Sequence, residues 1–92
     1  MRIRWDEDKR QLVLRRRQID FRHFQELFFL PYVEDQRSIV PEQFRIIGLI
    51  RGQLITFVVE YRTDAIGEYI WLVTAWKATR PEEQSYYEQT TE

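Results

Sequence analysis

Hydrophobic and polar residues follow one another in an order that predicts helices first, strands later and one helix at the end. Residues 1–6 have the composition of a short strand. Asp6 is suited to cap a helix over 9–17, and Asp20 to cap a second helix. In the second helix four apolar side chains recur at helical spacing, which predicts that they face the core. They are Phe21, Phe24, Leu27 and Phe28.

The middle of the chain predicts a β-hairpin. Pro31 ends the second helix, because proline cannot continue it, and 32–41 form a polar connector with a short strand at its start. Two β-rich runs follow, and together they cover 44–61. Arg51 and Gly52 lie between these runs and form a turn sequence, so the runs are expected to pair with each other.

The last quarter of the chain predicts a strand that leads directly into a helix. After a turn at 63–67, a strong β-type run extends from 69 to about 77. Thr79 and Glu82 have the spacing of a capping box, in which each residue accepts a hydrogen bond from the other's backbone. This box predicts a final helix over 81–89. Such junctions collect cations and backbone donors, but they also occur in proteins that bind nothing there.

These elements predict a single α+β domain over residues 1–92. A chain of 92 residues, 43% of them hydrophobic, has enough apolar material for one core. Helices followed by consecutive strands favour an antiparallel sheet with two N-terminal helices and one C-terminal helix. We expect all three helices to pack on one face of this sheet.

Charge and composition narrow the classes of function. The net charge is -1, so any nucleic-acid binding must depend on a local basic patch, such as the one around Arg15, Arg16 and Arg17. The absence of cysteine excludes disulfides and cysteine-based metal sites, and it is consistent with a cytoplasmic protein. The longest apolar runs are far shorter than a membrane span, and the first residues do not resemble a signal peptide.

The candidate chemistry is cationic and aromatic. His23 is the sole histidine and is expected to be an ordinary helix residue, and there is no nucleophile motif or glycine-rich phosphate loop. Arginine, lysine and tyrosine side chains bind RNA phosphates and stabilise the charge of a phosphoryl-transfer transition state without a metal. Spacing alone does not bring the candidates together; they are Arg17, Arg45, Lys77, Arg80 and Tyr86.

Several motifs resemble the BrnT family, the toxins of type II toxin–antitoxin pairs. The chain opens with Trp-Asp-x-x-Lys at 5–9, continues with Phe-x-x-Ile-Gly at 44–48, and ends with Ala-Thr-x-x-Glu-x-x-x-Tyr at 78–86. Their order and spacing match over roughly residues 2 to 88. The resemblance implies a RelE-like fold, ribonuclease activity, and neutralisation by a BrnA antitoxin whose complex represses its own operon.

The resemblance also implies roles for particular side chains. The residues expected to be catalytic are Lys77, Arg80, Glu82 and Tyr86. Of these, Lys77 and Arg80 would hold the scissile phosphate while a 2′-hydroxyl attacks it, and the other two would serve proton transfer. Arg17 and Arg45 would extend the RNA-binding surface. No metal or other cofactor is expected.

Three departures from the family pattern fall on polar positions. Arg16, Arg17 and Gln18 stand where the family typically has Lys-His-Gly, and Gln43 replaces a usual arginine. Trp76 stands where an arginine commonly precedes the Lys-Ala-Thr segment. An indole cannot hold a phosphate by charge. Losing one transition-state donor costs on the order of 2.7–4 kcal/mol in the activation barrier, so these departures affect activity more than fold.

The expected partners are a BrnA-like antitoxin and an RNA substrate, and a homodimer is a further assembly to consider. DNA would be contacted only through the antitoxin complex, and no membrane association is expected. Two other functions remain open. One is a catalytically decayed homologue that serves as a protein-binding or regulatory subunit. The other is a small RNA-binding module that uses exposed aromatic side chains for stacking.

Overall fold

A five-stranded sheet forms the centre of the computed structural model, which describes residues 1–91. The strands lie in the order β1-β5-β4-β3-β2. They are β1 (Arg2–Trp5), β2 (Tyr32–Ile39), β3 (Glu42–Ile50), β4 (Gln53–Thr63) and β5 (Glu68–Lys77). β3, β4 and β5 are antiparallel neighbours, as predicted, and β2 pairs antiparallel with β3, whereas β1 lies parallel to β5. The sheet is therefore mostly, and not wholly, antiparallel. The chain between β1 and β5 contains two helices and three strands, which is long enough for these two strands to pair in parallel.

Three helices accompany the sheet: α1 (Glu7–Arg17), a 3₁₀ helix (Phe21–Phe29) and α2 (Arg80–Thr90). Asp6 caps α1 as predicted, since its carboxylate accepts hydrogen bonds from the backbone N–H of Asp8 and Lys9. Gln18 ends α1 in the left-handed conformation, with φ of 57°. Within residues 1–91, none of the helices combines the length and the apolar character that a membrane crossing requires.

The second helix is a 3₁₀ helix, and this changes which side chains it buries. A 3₁₀ helix has three residues per turn, so positions i, i+3 and i+6 lie in one row. Phe21, Phe24 and Leu27 form that row and are fully buried. Phe28 lies outside it and is 38% exposed, so its prediction as a core residue was wrong. Leu27 packs so closely on β3 that a Cβ at Gly48 would lie 2.6 Å from its Cγ.

The predicted connector at 32–41 is instead mostly the eight-residue strand β2. It pairs with β3 along its length and forms the far edge of the sheet. Its side chains are largely polar because an edge strand is exposed to solvent, and only Val33 is buried. The predicted hairpin is confirmed, since β3 and β4 pair around Arg51 and Gly52, both of which have positive φ.

The helices cover both faces of the sheet, which corrects the prediction that all pack on one face. α1 and the 3₁₀ helix cover the N-terminal face, the side on which Ile46 and Phe57 point into the larger core. α2 covers part of the opposite side, the C-terminal face, where Ile47 and Val33 pack against Tyr86. Adjacent residues of a strand point to opposite faces, so Ile46 and Ile47 serve different cores.

Candidate functional site

The junction between β5 and α2 has the capping box that the sequence predicts. The backbone N–H of Thr79 donates to Glu82 Oε1 at 2.8 Å, and the backbone N–H of Glu82 donates to Thr79 Oγ1 at 3.4 Å. Pro81 follows in the first turn, where the missing N–H costs nothing. The turn from strand to helix is therefore fixed by local contacts.

Glu82 also ties α2 to the C-terminal face of the sheet. Its Oε1 accepts hydrogen bonds from Thr56 Oγ1 on β4 and Trp76 Nε1 on β5, both at 3.0 Å. Its Oε2 accepts one from Arg45 on β3 at 3.4 Å. The residue is only 6% exposed. One carboxylate thus connects three strands to the start of the helix.

These contacts set the protonation of Glu82. Burial by itself raises its pKa, but the hydrogen bonds from Thr79, Trp76 and Thr56 together outweigh burial and leave the pKa below its usual range. The carboxylate is therefore ionised at neutral pH and is a weak base. Its contacts favour a positioning role, while its expected part in proton transfer stays a prediction.

Arg45 is held by two carboxylates. It makes a bidentate pair with Asp35 on β2, with distances of 2.9 and 2.7 Å, in addition to its contact with Glu82. The pair with Asp35 contributes most to raising the pKa of this guanidinium. Its charge is consequently offset within the protein, which weakens it as a contact for RNA phosphate.

Tyr86 lies behind the junction and not at its surface. Its ring is buried between β2 and β3, against Val33 and Ile47, and its hydroxyl donates to the carbonyl oxygen of Pro31 at 2.8 Å. Burial raises the pKa of this phenol. The hydrogen bond anchors α2 to the start of β2, so the observed role of Tyr86 is to hold the helix in place.

Lys77 and Arg80 differ from the other candidate cations. Both are exposed, and neither makes a side-chain hydrogen bond or salt bridge with any residue among 1–91. Lys77 lines an open groove of about 330 Å³ together with Glu83 and Tyr87 of α2. The two cations at the junction are therefore available to an external anion.

Arg17 is not part of this arrangement. From the end of α1 it donates to the carbonyl oxygen of Ala75 at 2.8 Å and to Thr74 Oγ1 at 3.4 Å. It packs against β5 but makes no hydrogen bond or salt bridge with any of the other predicted site residues among 1–91. The structure joins Arg45 to Glu82 directly, and it places Lys77, Arg80 and Tyr86 on the elements that Glu82 connects.

Sequence reasoning missed the contribution of the C-terminal face. The guanidinium of Arg37 lies 5.8 Å from the ring centre of Trp76, and that of Arg62 lies 4.4 Å from Trp71. Thr56, which bonds Glu82, was also missed. Trp71 and Trp76 are both half-buried, and the arginines beside them come from β4 and β2. Residues 1–91 contain no cluster of three or more acidic or histidine side chains suited to a metal ion.

Comparison of the chain with models of known protein families and with curated proteins gives no match. The resemblance to BrnT toxins therefore stays a prediction that depends on the motifs at 5–9, 44–48 and 78–86.

Proposed function

We propose that this chain is a BrnT-like toxin with a RelE-like fold, a cytoplasmic ribonuclease that inhibits translation and is neutralised by a BrnA-like antitoxin. The observation that carries the proposal is the exposure of Lys77 and Arg80 and the absence of a partner for their charges among residues 1–91. Both are exposed cations without an internal partner among the described residues, and both lie at a junction that Glu82 holds rigidly. Exposed cations that a rigid junction presents can stabilise the charge that develops on a phosphate.

In the proposed reaction the RNA supplies its own nucleophile. A 2′-hydroxyl oxygen attacks the adjacent phosphorus, the bond from phosphorus to the 5′ oxygen breaks, and a 2′,3′-cyclic phosphate and a 5′-hydroxyl result. The proton lost by the 2′-hydroxyl is balanced by the one gained by the leaving oxygen. Lys77 and Arg80 neutralise the phosphate oxygens, and Glu82 keeps the junction in position through Thr79 and Trp76.

The test is cleavage of bulk RNA in the presence of EDTA. We expect the wild-type chain to cleave, and the double variant Lys77→Ala with Arg80→Ala to lose at least about a hundredfold in rate, because phosphate donors of this kind carry that much. Arg4→Ala removes an exposed charge on β1, away from the β5–α2 junction, and should leave the rate unchanged. Full activity in the double variant, with circular dichroism showing an intact fold, contradicts the assignment.

A second candidate, a catalytically decayed homologue that acts as a binding subunit, is favoured by Trp76. Its indole N–H donates to Glu82 at the position where the family commonly has an arginine. Trp76→Arg restores a charge-assisted donor there and should raise the cleavage rate. An inactive wild type that gains activity only with Trp76→Arg supports the decayed homologue. If neither protein cleaves RNA, the ribonuclease proposal fails.

A further inference from the structure

A groove runs along β1, on the side of the molecule where the sheet ends. It has a volume of about 480 Å³ and is lined by β1 and by the start of the 3₁₀ helix, including Phe21, Arg22 and Gln25. None of its lining residues belongs to the Lys77 groove. Whatever occupies it therefore binds separately from the β5–α2 junction.

The outer backbone edge of β1 has no strand beside it within residues 1–91. Unpaired N–H and C=O groups on an edge strand are a template for a strand from another chain. β2, the opposite edge, is less suited to this, because its register shifts between Gln36 and Ser38. Such bulges interrupt pairing. The edge best suited to an added strand is thus β1.

The side chains of β1 alternate in character. Ile3 and Trp5 pack against the core on the N-terminal face. Arg2 and Arg4 point to the other face, where both guanidinium groups lie over the ring of Tyr69, at 5.2 and 5.5 Å. A strand added to β1 continues both faces. It would meet the cations of Arg2 and Arg4 on one face. On the other face it would meet the groove, whose lining includes Arg22 and Gln25 besides its apolar side chains.

The charges decide between an acidic partner and a second copy of this chain. Arg2 is held by two hydrogen bonds to Asp64, whereas Arg4 approaches that carboxylate only to 3.7 Å, and its side chain is 57% exposed. Two copies paired antiparallel about Ile3 would put Arg2 of each opposite Arg4 of the other. Like charges directly opposite are destabilising, so a second copy is disfavoured.

We propose that β1 and its groove bind an extended segment of a partner protein in which acidic and apolar residues alternate, as a sixth strand of the sheet. Backbone hydrogen bonds hold the segment, its acids face Arg2 and Arg4, and its apolar side chains enter the groove beside Ile3 and Trp5. This proposal does not depend on ribonuclease activity, because it uses none of the residues of the β5–α2 junction.

The probe is a blocked peptide of alternating valine and glutamate, titrated into the full chain and followed by amide NMR and fluorescence anisotropy. We expect saturable binding with shifts at β1 and at Phe21 to Gln25, and little binding of a valine–lysine peptide. Arg4→Glu should weaken binding about tenfold, and Arg4→Ala about threefold, because a cross-strand charge pair is reversed or lost. Arg16→Glu, which changes the net charge as much as Arg4→Glu does, should have less than about a twofold effect.

Backbone methylation separates strand addition from general charge attraction. In an added strand, every second backbone N–H points toward β1 and the others point away from it. Two peptides are therefore compared: one is methylated at the nitrogens that point toward β1, and the other at the nitrogens that point away. One methylated peptide should therefore lose binding while the other keeps it. Four results would each overturn the proposal. Two concern the peptides: equal binding of the two methylated peptides, or equal binding of the valine–lysine peptide. The other two are equal losses in Arg4→Glu and Arg16→Glu, and shifts confined to β2.

Discussion

Two residues at the start of α2 show how a short motif in sequence becomes a fixed contact in the fold. The hydroxyl of Thr79 accepts a backbone N–H that would otherwise lack a partner at the helix start. Thr79→Ala should lower the free energy of unfolding by about 1 kcal/mol. Urea denaturation measures this, with Thr63→Ala at an exposed strand end as the control. An unchanged midpoint for Thr79→Ala would show that the cap contributes nothing.

Asp20 is a buried carboxylate through which acid should lower the stability of the fold. It is buried, and its pKa lies well below its usual range, chiefly because of the hydrogen bonds from the Arg22 side chain and also because of those from the Arg22 backbone and from Arg10. Because the pKa of Asp20 is lower in the folded chain than in the unfolded chain, the unfolded chain binds more protons as pH falls. The stability that ionised Asp20 contributes is therefore fully present above its unfolded pKa, about 4. It is lost as pH falls further through the folded pKa.

The free energy of unfolding should therefore decrease as pH is lowered below about 5. Asp20→Asn should cost roughly 3 kcal/mol at pH 7, since it leaves Arg10 partly unpaired in a buried setting, and it should flatten the acid dependence. Denaturation curves between pH 7 and pH 2 measure both effects. If the free energy of unfolding of Asp20→Asn falls with pH as steeply as that of the wild type, the acid dependence comes from other carboxylates. Glu7, whose pKa is lowered to about 2 by Arg10, is one such carboxylate.

At the scale of elements, the 3₁₀ helix gives two phenylalanines in contact with each other very different burial: Phe24 is 1% exposed and Phe28 is 38% exposed. Phe24 is buried between Phe28 and Phe57, with ring centres at 5.3 and 4.8 Å. Phe24→Ala should cost roughly 3–5 kcal/mol, which approaches the whole stability of a small domain, whereas Phe28→Ala should cost only about 1 kcal/mol. Thermal unfolding compares the two. Equal losses would mean that both rings face the core in solution.

Local signals predicted most of the elements, and contacts distant in sequence account for what was missed. The caps at Asp6, Asp20 and Thr79 and the turn at Arg51 were identified because each acts on its immediate neighbours. The 3₁₀ geometry was missed because apolar spacings of three and six fit both kinds of helix. β2 was missed because an edge strand need not be apolar.

In the candidate site, too, local sequence signals were predictable and contacts between distant strands were not. Lys77 and Arg80 were selected from the junction sequence, and they remain candidates because nothing within residues 1–91 neutralises them. The pairing of Arg45 with Asp35 could not be predicted, because it requires β2 to lie beside β3. Once β2 is known to be a strand, antiparallel register places these two residues opposite each other.

At the scale of the whole molecule, the aromatic side chains exceed what the two cores can hold. The chain has three Trp, five Tyr and six Phe, and several of them are exposed on the surface. Phe29 is 80% exposed, and Phe28, Leu30 and Tyr32 beside it in sequence are exposed as well. Exposed aromatic residues anchor interfaces when a partner covers them.

If the proposed antitoxin exists, these residues are expected to anchor its complex with this chain, burying at least about 1,000 Å² in total. Co-expression with the neighbouring reading frame should yield a complex that survives gel filtration. Phe29→Ser should weaken it by at least about tenfold, because a truncated hot-spot side chain costs more than 1 kcal/mol. Ile66→Ser, which changes an equally exposed apolar residue at the β4–β5 turn, is the control and should have no effect. Recovery of free protein alone would contradict the antitoxin partner. A complex that Phe29→Ser weakens no more than Ile66→Ser does would place the interface elsewhere.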